Sequence, residues 1–546
     1  MTAVEVTAAR PPAVLDEAHV GDIRGALGTI RVDDFDARRT LSAKMKTLLA
    51  VVGPGLIVMV GDNDAGAFST YGQAGQNYGT RLLWTLLLLI PVLYVNQEMV
   101  LRLGAVTGVG HARLIMARFG KFWGAFEVFD LFILNALTII TEFIGITLAA
   151  GYLGVPKVLA VVLAAGVIIS TAFTGSFRRF ERIAITFCAG SLLLIPLYMM
   201  SHPAGASMVR GFTTPDLPGG SGGMAVVMLL VIGIVGTTVA PWQLFFQQSY
   251  VVDKRITPRF MKYEKADLWI GIVIVVLGAA AVMGATAAAF AGTKGAGNFT
   301  DSAGLARGVA AYAGHLAGAV FAVALLDAAI IGAFAVSLSS AYAIGDVLGM
   351  NHSLHRGVGQ AKGFYAIYVA LICGAATVVL IPGSPLGLIT EGVQVLAGVL
   401  LPSATVFLLL LCNDKAVLGP WVNGRRTNAF TAAVISVLIT LSVILTVSVV
   451  FPHITAGQIL MIIAGCAAAA VAAGGALLAR GTSGGAADEG VASYGDRMMW
   501  RMPPLSERPA PVITGARKVG LIALRGYLAM AMILVVVKVV LMAIGH

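Results

Sequence analysis

Thirteen stretches of this 546-residue chain are long and apolar enough to cross a bilayer as helices, and two of them are broken midway. A spanning helix needs about 20 apolar residues, and the runs near 49–71, 82–103, 123–150, 157–175, 181–200 and 224–250 supply them. So do those near 267–292, 311–346, 363–382, 389–412, 428–451, 456–479 and 526–544. The interruptions are Gly61-Asp62-Asn63-Asp64-Ala65-Gly66-Ala67 in the first span and Gly236-Thr237-Thr238-Val239-Ala240-Pro241-Trp242-Gln243 in the sixth. Hydrocarbon tolerates such backbone only where it is buried in protein or lines a polar cavity. Two acids beside one break, matched by a second break later on, point to an ion site at mid-membrane depth.

The continuous runs exclude a transmembrane β-barrel, which would alternate in short segments. Only 12% of residues are charged, and mean hydropathy is +0.88, against about 25% charged residues in soluble domains. The net charge of +10 is distributed by topology. With the N-terminus inside, 31 of the 37 Lys and Arg fall on the inner side, five outside (Arg81, Lys157, Arg210, Lys294, Arg307) and Lys538 within the last span. This is the positive-inside pattern, and one missed helix would reverse every later loop. No nucleic-acid partner is therefore expected. Cys188, Cys373, Cys412 and Cys466 are scattered singly in apolar runs, as small buried hydrophobes rather than a disulfide or zinc framework. Residues 1–47 have no apolar core, so no cleavable signal peptide is expected.

Spans 1 and 6 hold the breaks, so spans 1–5 and 6–10 have opposite orientations. The expected fold is an all-α polytopic membrane protein with a five-plus-five inverted repeat, broken helices 1 and 6, and about three additional C-terminal helices. The expected boundaries are a cytoplasmic N-terminal segment 1–47, repeat one over 48–200 and repeat two over 201–412. Accessory helices follow over 413–480, then a Gly-, Ser- and Pro-rich cytoplasmic linker 481–518 and a final helix 519–546.

Asp64 precedes Ala65-Gly66, where a weak helix opens and frees carbonyls. A carboxylate plus unwound carbonyls makes a hard-oxygen cation site. Asp also favours a helix N-terminus, and one side chain can do both.

The stretch from Gly53 to Trp84 resembles the first helix of Nramp divalent-metal transporters, whose motif there is Asp-Pro-Gly-Asn. Gly236 to Pro241 aligns on the region of the family's Met-Pro-His-Asn motif. Gln394-Val395-Leu396 with Leu401-Pro402, and Asn413-Asp414-Lys415 through Leu418-Gly419, are similar as well. The resemblance covers roughly residues 45–450 and implies a LeuT-type fold. It also implies no enzymatic activity and no cofactor. Its partners would be a transported divalent ion and the lipid bilayer, with no obligate protein partner, in a bacterial plasma membrane with the N-terminus cytoplasmic.

The departures carry more information. Asp64 stands at the family's metal-binding aspartate, but its proline and asparagine become Ala65 and Ala67. In span 6 the methionine becomes Ala240, the histidine Trp242, the asparagine Gln243 and a second histidine Gln247. Span 3 keeps the family's glutamate as Glu142, while the aspartate three residues earlier is Ile139. A thioether favours Mn²⁺ and Fe²⁺; Ala240 removes it, and Ala67 removes an oxygen ligand. Fewer ligands and more space suit Mg²⁺, which dehydrates reluctantly and is held by one or two carboxylates plus waters. Asp62 can supply the second carboxylate through water. Gln243 faces the same waters, and the Thr237 carbonyl and Gln394 lie where the resemblance places ligands. The pattern is similar to the Nramp-related magnesium-transporter branch.

Proton relays in membranes use His and carboxylate chains. With both span-6 histidines and the span-3 aspartate replaced, the expected mechanism is uncoupled transport of Mg²⁺, also admitting Mn²⁺. The alternatives are a proton-coupled Mn²⁺/Fe²⁺ importer and an amino-acid carrier of the same fold. Glu142, Trp242 and Gln247 are expected along the pathway or around the ligands. Glu98, grouped with Gln97, faces a vestibule or pairs with Arg102. Glu127, Asp130 and Asn135 share span 3 with Glu142, and could line one cavity with it if that helix borders the pathway.

Overall fold

Apolar runs set the helices of this protein, and glycines, prolines and capping side chains set their ends. The computed structural model describes residues 16–218, 223–383, 386–450, 454–479 and 497–507, with single positions at 522, 526 and 533. A hairpin of β1 (Ile23–Gly25) and β2 (Gly28–Ile30) comes first, then α1 (Leu41–Val51), α2 (Pro54–Gly61) and α3 (Ala65–Tyr78). Next come α4 (Trp84–Thr107), α5 (His111–Phe119), α6 (Lys121–Tyr152) and α7 (Lys157–Ala172). The fifth span is α8 (Phe177–Cys188) and α9 (Leu194–Ser201), joined by a 3₁₀ stretch Ala189–Leu193. After α10 (Gly205–Thr213) come α11 (Gly223–Thr238) and α12 (Pro241–Asp253), then α13 (Met261–Phe290), α14 (Ser302–Ala313) and α15 (His315–Leu348). The chain continues through α16 (Lys362–Val379), α17 (Leu386–Cys412), α18 (Lys415–Leu418), α19 (Arg425–Val450) and α20 (Ala456–Ala479).

Among the described residues nine helices are long and apolar enough to cross a membrane, or ten if the bent pair α1 and α2 counts as one span. With α3, α7 and the shorter apolar helix Gly457–Ala472 added, each of the first twelve expected spans has a helix in its place. The last, near 526–544, lies outside the described residues except for the single positions 526 and 533. Helices also form within connections read as loops. Asp301 caps α14 by accepting from Gly304 N–H at 2.7 Å, and Leu305, Ala306 and Val309 bury its apolar side.

The hairpin is the largest addition to the sequence reading. Ile23 faces Ile30 across the pair, and both are buried. Ala26 at the turn donates its N–H to Glu181 Oε2 at 2.6 Å and accepts from Arg182 Nε at 3.0 Å. Just before it, Asp16 takes a two-pronged contact from Arg356, with distances of 2.6 and 3.0 Å. Arg255 donates to the carbonyls of Ala18 and Asp22. The N-terminal segment is thus bolted to α8, to the end of α12 and to the connection after α15.

The foot of α2 is held by two buried side chains. Asp267 Oδ2 accepts from the N–H groups of Gly53 (3.1 Å), Gly55 (2.7 Å) and Leu56 (3.3 Å), capping the helix from a neighbouring element. Lys254 bonds the Val52 carbonyl at 2.7 Å and pairs with Glu181 at 2.6 Å, both side chains fully buried.

Small residues let helices approach around the breaks, as in other membrane bundles. A methyl group on Gly236 of α11 would collide with the backbone of Gln394 and Gly398 in α17. Overpacking commonly costs about 1–3 kcal/mol. Gly236→Val is expected to lower the melting temperature in detergent by several degrees; an unchanged melt would show that the crossing can widen.

Candidate metal site

In the first break, α2 ends at Gly61 and α3 opens at Ala65, with Asp64 in an extended backbone conformation before it. Asp64 Oδ1 accepts from Ala67 N–H at 2.8 Å, which satisfies one of the amides a helix start leaves unpaired. The Ala65 N–H, which an unbroken helix would direct to Gly61, donates to Glu142 Oε2 at 3.0 Å. Gly332 of α15 is the floor under both acids. A methyl group there would lie 2.7 Å from Glu142 Cδ and 2.9 Å from Asp64 Cβ. Gln394 flanks the same spot, since a methyl group on Gly66 would collide with its carboxamide and lie 3.2 Å from Asp64 Oδ1.

In the second break, α11 ends at Thr238 and Pro241 opens α12. Proline has no N–H, so the Thr237 carbonyl lacks the donor a continuous helix would offer. Ala240 occupies the cap position with no capping side-chain bond. Gln243 Nε2 donates to Asp62 Oδ1, and Gln243 Oε1 accepts from Gln97 Nε2 at 2.9 Å. Tyr71 and Thr238 join their hydroxyls at 2.7 Å, linking α3 to α11. The two breaks therefore face each other through Asp62–Gln243 and Tyr71–Thr238.

Asp62, Asp64, Ala67, Glu142, Thr237, Ala240, Trp242, Gln243, Gln247 and Gln394 are all buried. Among them Asp62 Oδ2, Glu142 Oε1, Thr237 Oγ1, Gln394 Nε2 and both carboxamide atoms of Gln247 have no hydrogen-bond partner. Buried polar groups are nearly always paired, so a concentration of unpaired ones marks where an ion and its waters would fit. No three His, Cys, Asp or Glu side chains form a metal-holding group among the described residues. The groups on offer are carboxylates, carboxamides, a hydroxyl and backbone carbonyls, a hard set.

Some expected residues have other surroundings. Trp242 packs as a wall: a methyl group on Gly61 would meet its ring at 3.6 Å, and its carbonyl accepts from Ser339 at 3.0 Å. The polar residues of α6 diverge instead of lining one cavity with Glu142. Glu127 accepts from Ser403 at 3.0 Å, whereas Asn135 donates to Ser340 at 2.9 Å. Glu98 pairs with Arg102 (3.1 Å) and Lys265 (2.9 Å), but its neighbour Gln97 turns to Gln243. Tyr71 and His111 are residues that sequence reasoning missed, and Gln97 is one that it grouped with Glu98 and not with the breaks. Gln97 had a signal, a carboxamide deep in an apolar run. His111, buried at the start of α5, bonds Gln248 at 2.8 Å and sits edge-on to Phe245; burial pushes its imidazole down to about 4.

A divalent metal cation transporter MntH of Ralstonia nicotianae is 28% identical over 417 residues, covering 72% of this chain and 89% of that protein. The MntH of Latilactobacillus sakei is 27% identical over 422 residues, covering 72% and 88%. Among solved structures, the Eremococcus coleocola manganese transporter in complex with an aromatic bis-isothiourea substituted compound superposes with a TM-score of 0.60. It is 20% identical and covers 82% of this chain and 97% of that one. The fold is accordingly the helical LeuT-type inverted repeat. The profile of one family, described as natural resistance-associated macrophage protein-like, matches residues 55–448, and the chain therefore belongs to the Nramp family.

Proposed function

We propose that this integral membrane protein is a divalent metal cation transporter that prefers Mg²⁺, also admits Mn²⁺, and works by alternating access without proton coupling. Family membership supports transport rather than catalysis, and the relatives' own substrates are divalent metals. The observation that carries the Mg²⁺ reading is the shell around Asp62 and Asp64. Ala240 supplies no soft sulfur. Gln243 turns its oxygen to Gln97 and its N–H toward Asp62, so it is set to meet a carboxylate or a water oxygen rather than a bare cation. Asp64 binds the ion, Asp62 acts through water, and Thr237 and Gln394 complete the shell. Glu142, Trp242 and Gln247 border the route. The chain sits in a bacterial plasma membrane with its N-terminal segment inside.

The membrane potential supplies about 2.3 kcal/mol per charge at 100 mV, hence about 4.6 kcal/mol for a divalent ion, so uptake needs no proton. In proteoliposomes, millimolar Mg²⁺ is expected to slow Mn²⁺ uptake severalfold, with no acidification read by an interior pH dye. Mn²⁺ uptake indifferent to Mg²⁺ would defeat the Mg²⁺ preference, and acidification during entry would favour a proton-coupled Mn²⁺/Fe²⁺ importer. An amino-acid carrier is disfavoured because Asp62 and Asp64 would repel the substrate carboxylate.

A further inference from the structure

Outside the metal site, the hairpin, the connection after α12 and residues 498–501 enclose a cavity of about 190 Å³. Among the described residues four arginines line it, Arg31, Arg255, Arg259 and Arg501, and Asp34 is the one lining acid. That acid is already neutralised. Arg38, which does not line the cavity, grips both Asp34 oxygens at 2.8 and 2.7 Å. Arg31 pairs with Asp33 at 3.0 Å.

The other three guanidinium groups are held mainly by backbone carbonyls, with Arg259 also lying over the rings of Phe35 and Phe260. Arg255 donates to the carbonyls of Ala18 and Asp22, Arg259 to that of Asp34 at 2.6 Å, and Arg501 to that of Ala105 at 3.3 Å. Among the described residues none of the three is in an ion pair. Burial pushes the Arg501 guanidinium down to about 10 and lowers that of Arg255 as well. Three like charges around one small cavity repel unless an anion lies between them. Apolar lining from Ile30, Phe35, Phe260 and Met499 limits screening by water and strengthens that demand.

We propose that this cavity binds a phosphate or diphosphate group. A guanidinium carries five N–H donors, and the carbonyl bonds leave each of the three with donors to spare for phosphate oxygens. A tetrahedral oxyanion can offer acceptors to three guanidinium groups at once, which the two oxygens of a carboxylate do less well. The volume is below the roughly 300 Å³ of pockets that take drug-sized ligands, so the phosphate group itself, not the molecule carrying it, fills the space. That molecule is either a soluble phosphorylated compound or an anionic phospholipid. Its binding would fasten together three chain segments that are far apart in sequence.

The test uses the full-length protein, the variants Arg259→Gln and Arg501→Gln, and Lys262→Gln as a control outside the cavity. Pyrophosphate is titrated calorimetrically in neutral detergent at constant ionic strength, with sodium sulfate and chloride as comparators. Retained phosphatidylglycerol is counted by native mass spectrometry after passage through nanodiscs. Pyrophosphate binding weakened at least tenfold by either arginine variant, and unchanged in Lys262→Gln, supports the site and a soluble source. Phosphatidylglycerol retained by the wild type and lost from Arg501→Gln supports the site and a lipid source. The proposal is overturned if neither phosphate ligand distinguishes wild type from the variants, or if chloride matches pyrophosphate. Should the glutamine variants fail to fold, Arg259→Lys keeps the charge and loses the fork; undiminished binding by that variant overturns the proposal too.

Discussion

Asp64→Ala is expected to bring Mg²⁺ and Mn²⁺ flux into proteoliposomes down to that of empty vesicles. The substitution removes two things, a charge proposed to hold the ion and the cap of α3, where Oδ1 accepts from Ala67 N–H at 2.8 Å. Losing a cap costs about 0.5–2 kcal/mol, too little to unfold a protein with an extensive core. A second variant separates the two. Asparagine caps as well as aspartate but has no charge, so Asp64→Asn should melt like the wild type and still fail to transport. If Asp64→Asn carries ions normally, Asp64 is a helix cap and the ion lies elsewhere. Binding measured by calorimetry in detergent should vanish in parallel with flux.

The largest effect on stability is expected from Lys254→Met. Lys254 and Glu181 are fully buried and 2.6 Å apart. Glu181 also holds Ala26 N–H at 2.6 Å and the Tyr250 hydroxyl at 3.3 Å. Removing the lysine leaves a carboxylate with no counter-charge inside the protein, and breaking such a pair costs about 3–5 kcal/mol. The variant should elute as aggregate, or melt far below the wild type, in a thermal size-exclusion assay. Replacing both partners removes the charge problem, so Lys254→Met with Glu181→Gln should recover most of the loss. Glutamine keeps an oxygen for Ala26 N–H and can donate its NH2 to the Tyr250 hydroxyl oxygen. A single variant as stable as the wild type would show that water reaches Glu181.

Hydropathy made the spans legible because a helix in lipid must be apolar on its own account, whatever its neighbours are. The breaks were legible for a related reason: glycine, aspartate and proline act on the local backbone, and α2, α3, α11 and α12 begin or end at such residues. The hairpin was not legible. Its strands are three residues each, and its turn is held by Glu181, 155 residues further along. The Gln97–Gln243 contact likewise spans 146 residues, and the apolar run around Gln97 marks the carboxamide without naming its partner. Grouping Gln97 with Glu98 by proximity in sequence failed because adjacent helical residues point about 100° apart. The placing of Asp64, Glu142 and Gln394 around Gly66 and Gly332 depended on which glycines face which helices, a property of the packed bundle.

The bolting of the N-terminal segment to α8, the end of α12 and the connection after α15 has a thermodynamic consequence. A transporter that alternates between conformations is governed by their relative populations, and a contact present in one of them alone contributes to that balance. Asp16–Arg356 and Ala26–Glu181 hold distant parts of the chain in the arrangement described above. Any swing of α1 and α2 away from α8 must part such contacts or carry the hairpin along. Where they part, weakening them by about 1.4 kcal/mol multiplies the open population tenfold without touching a single ligand. Turnover and affinity can therefore be tuned by substitutions in a short polar stretch that lies outside the proposed ion site.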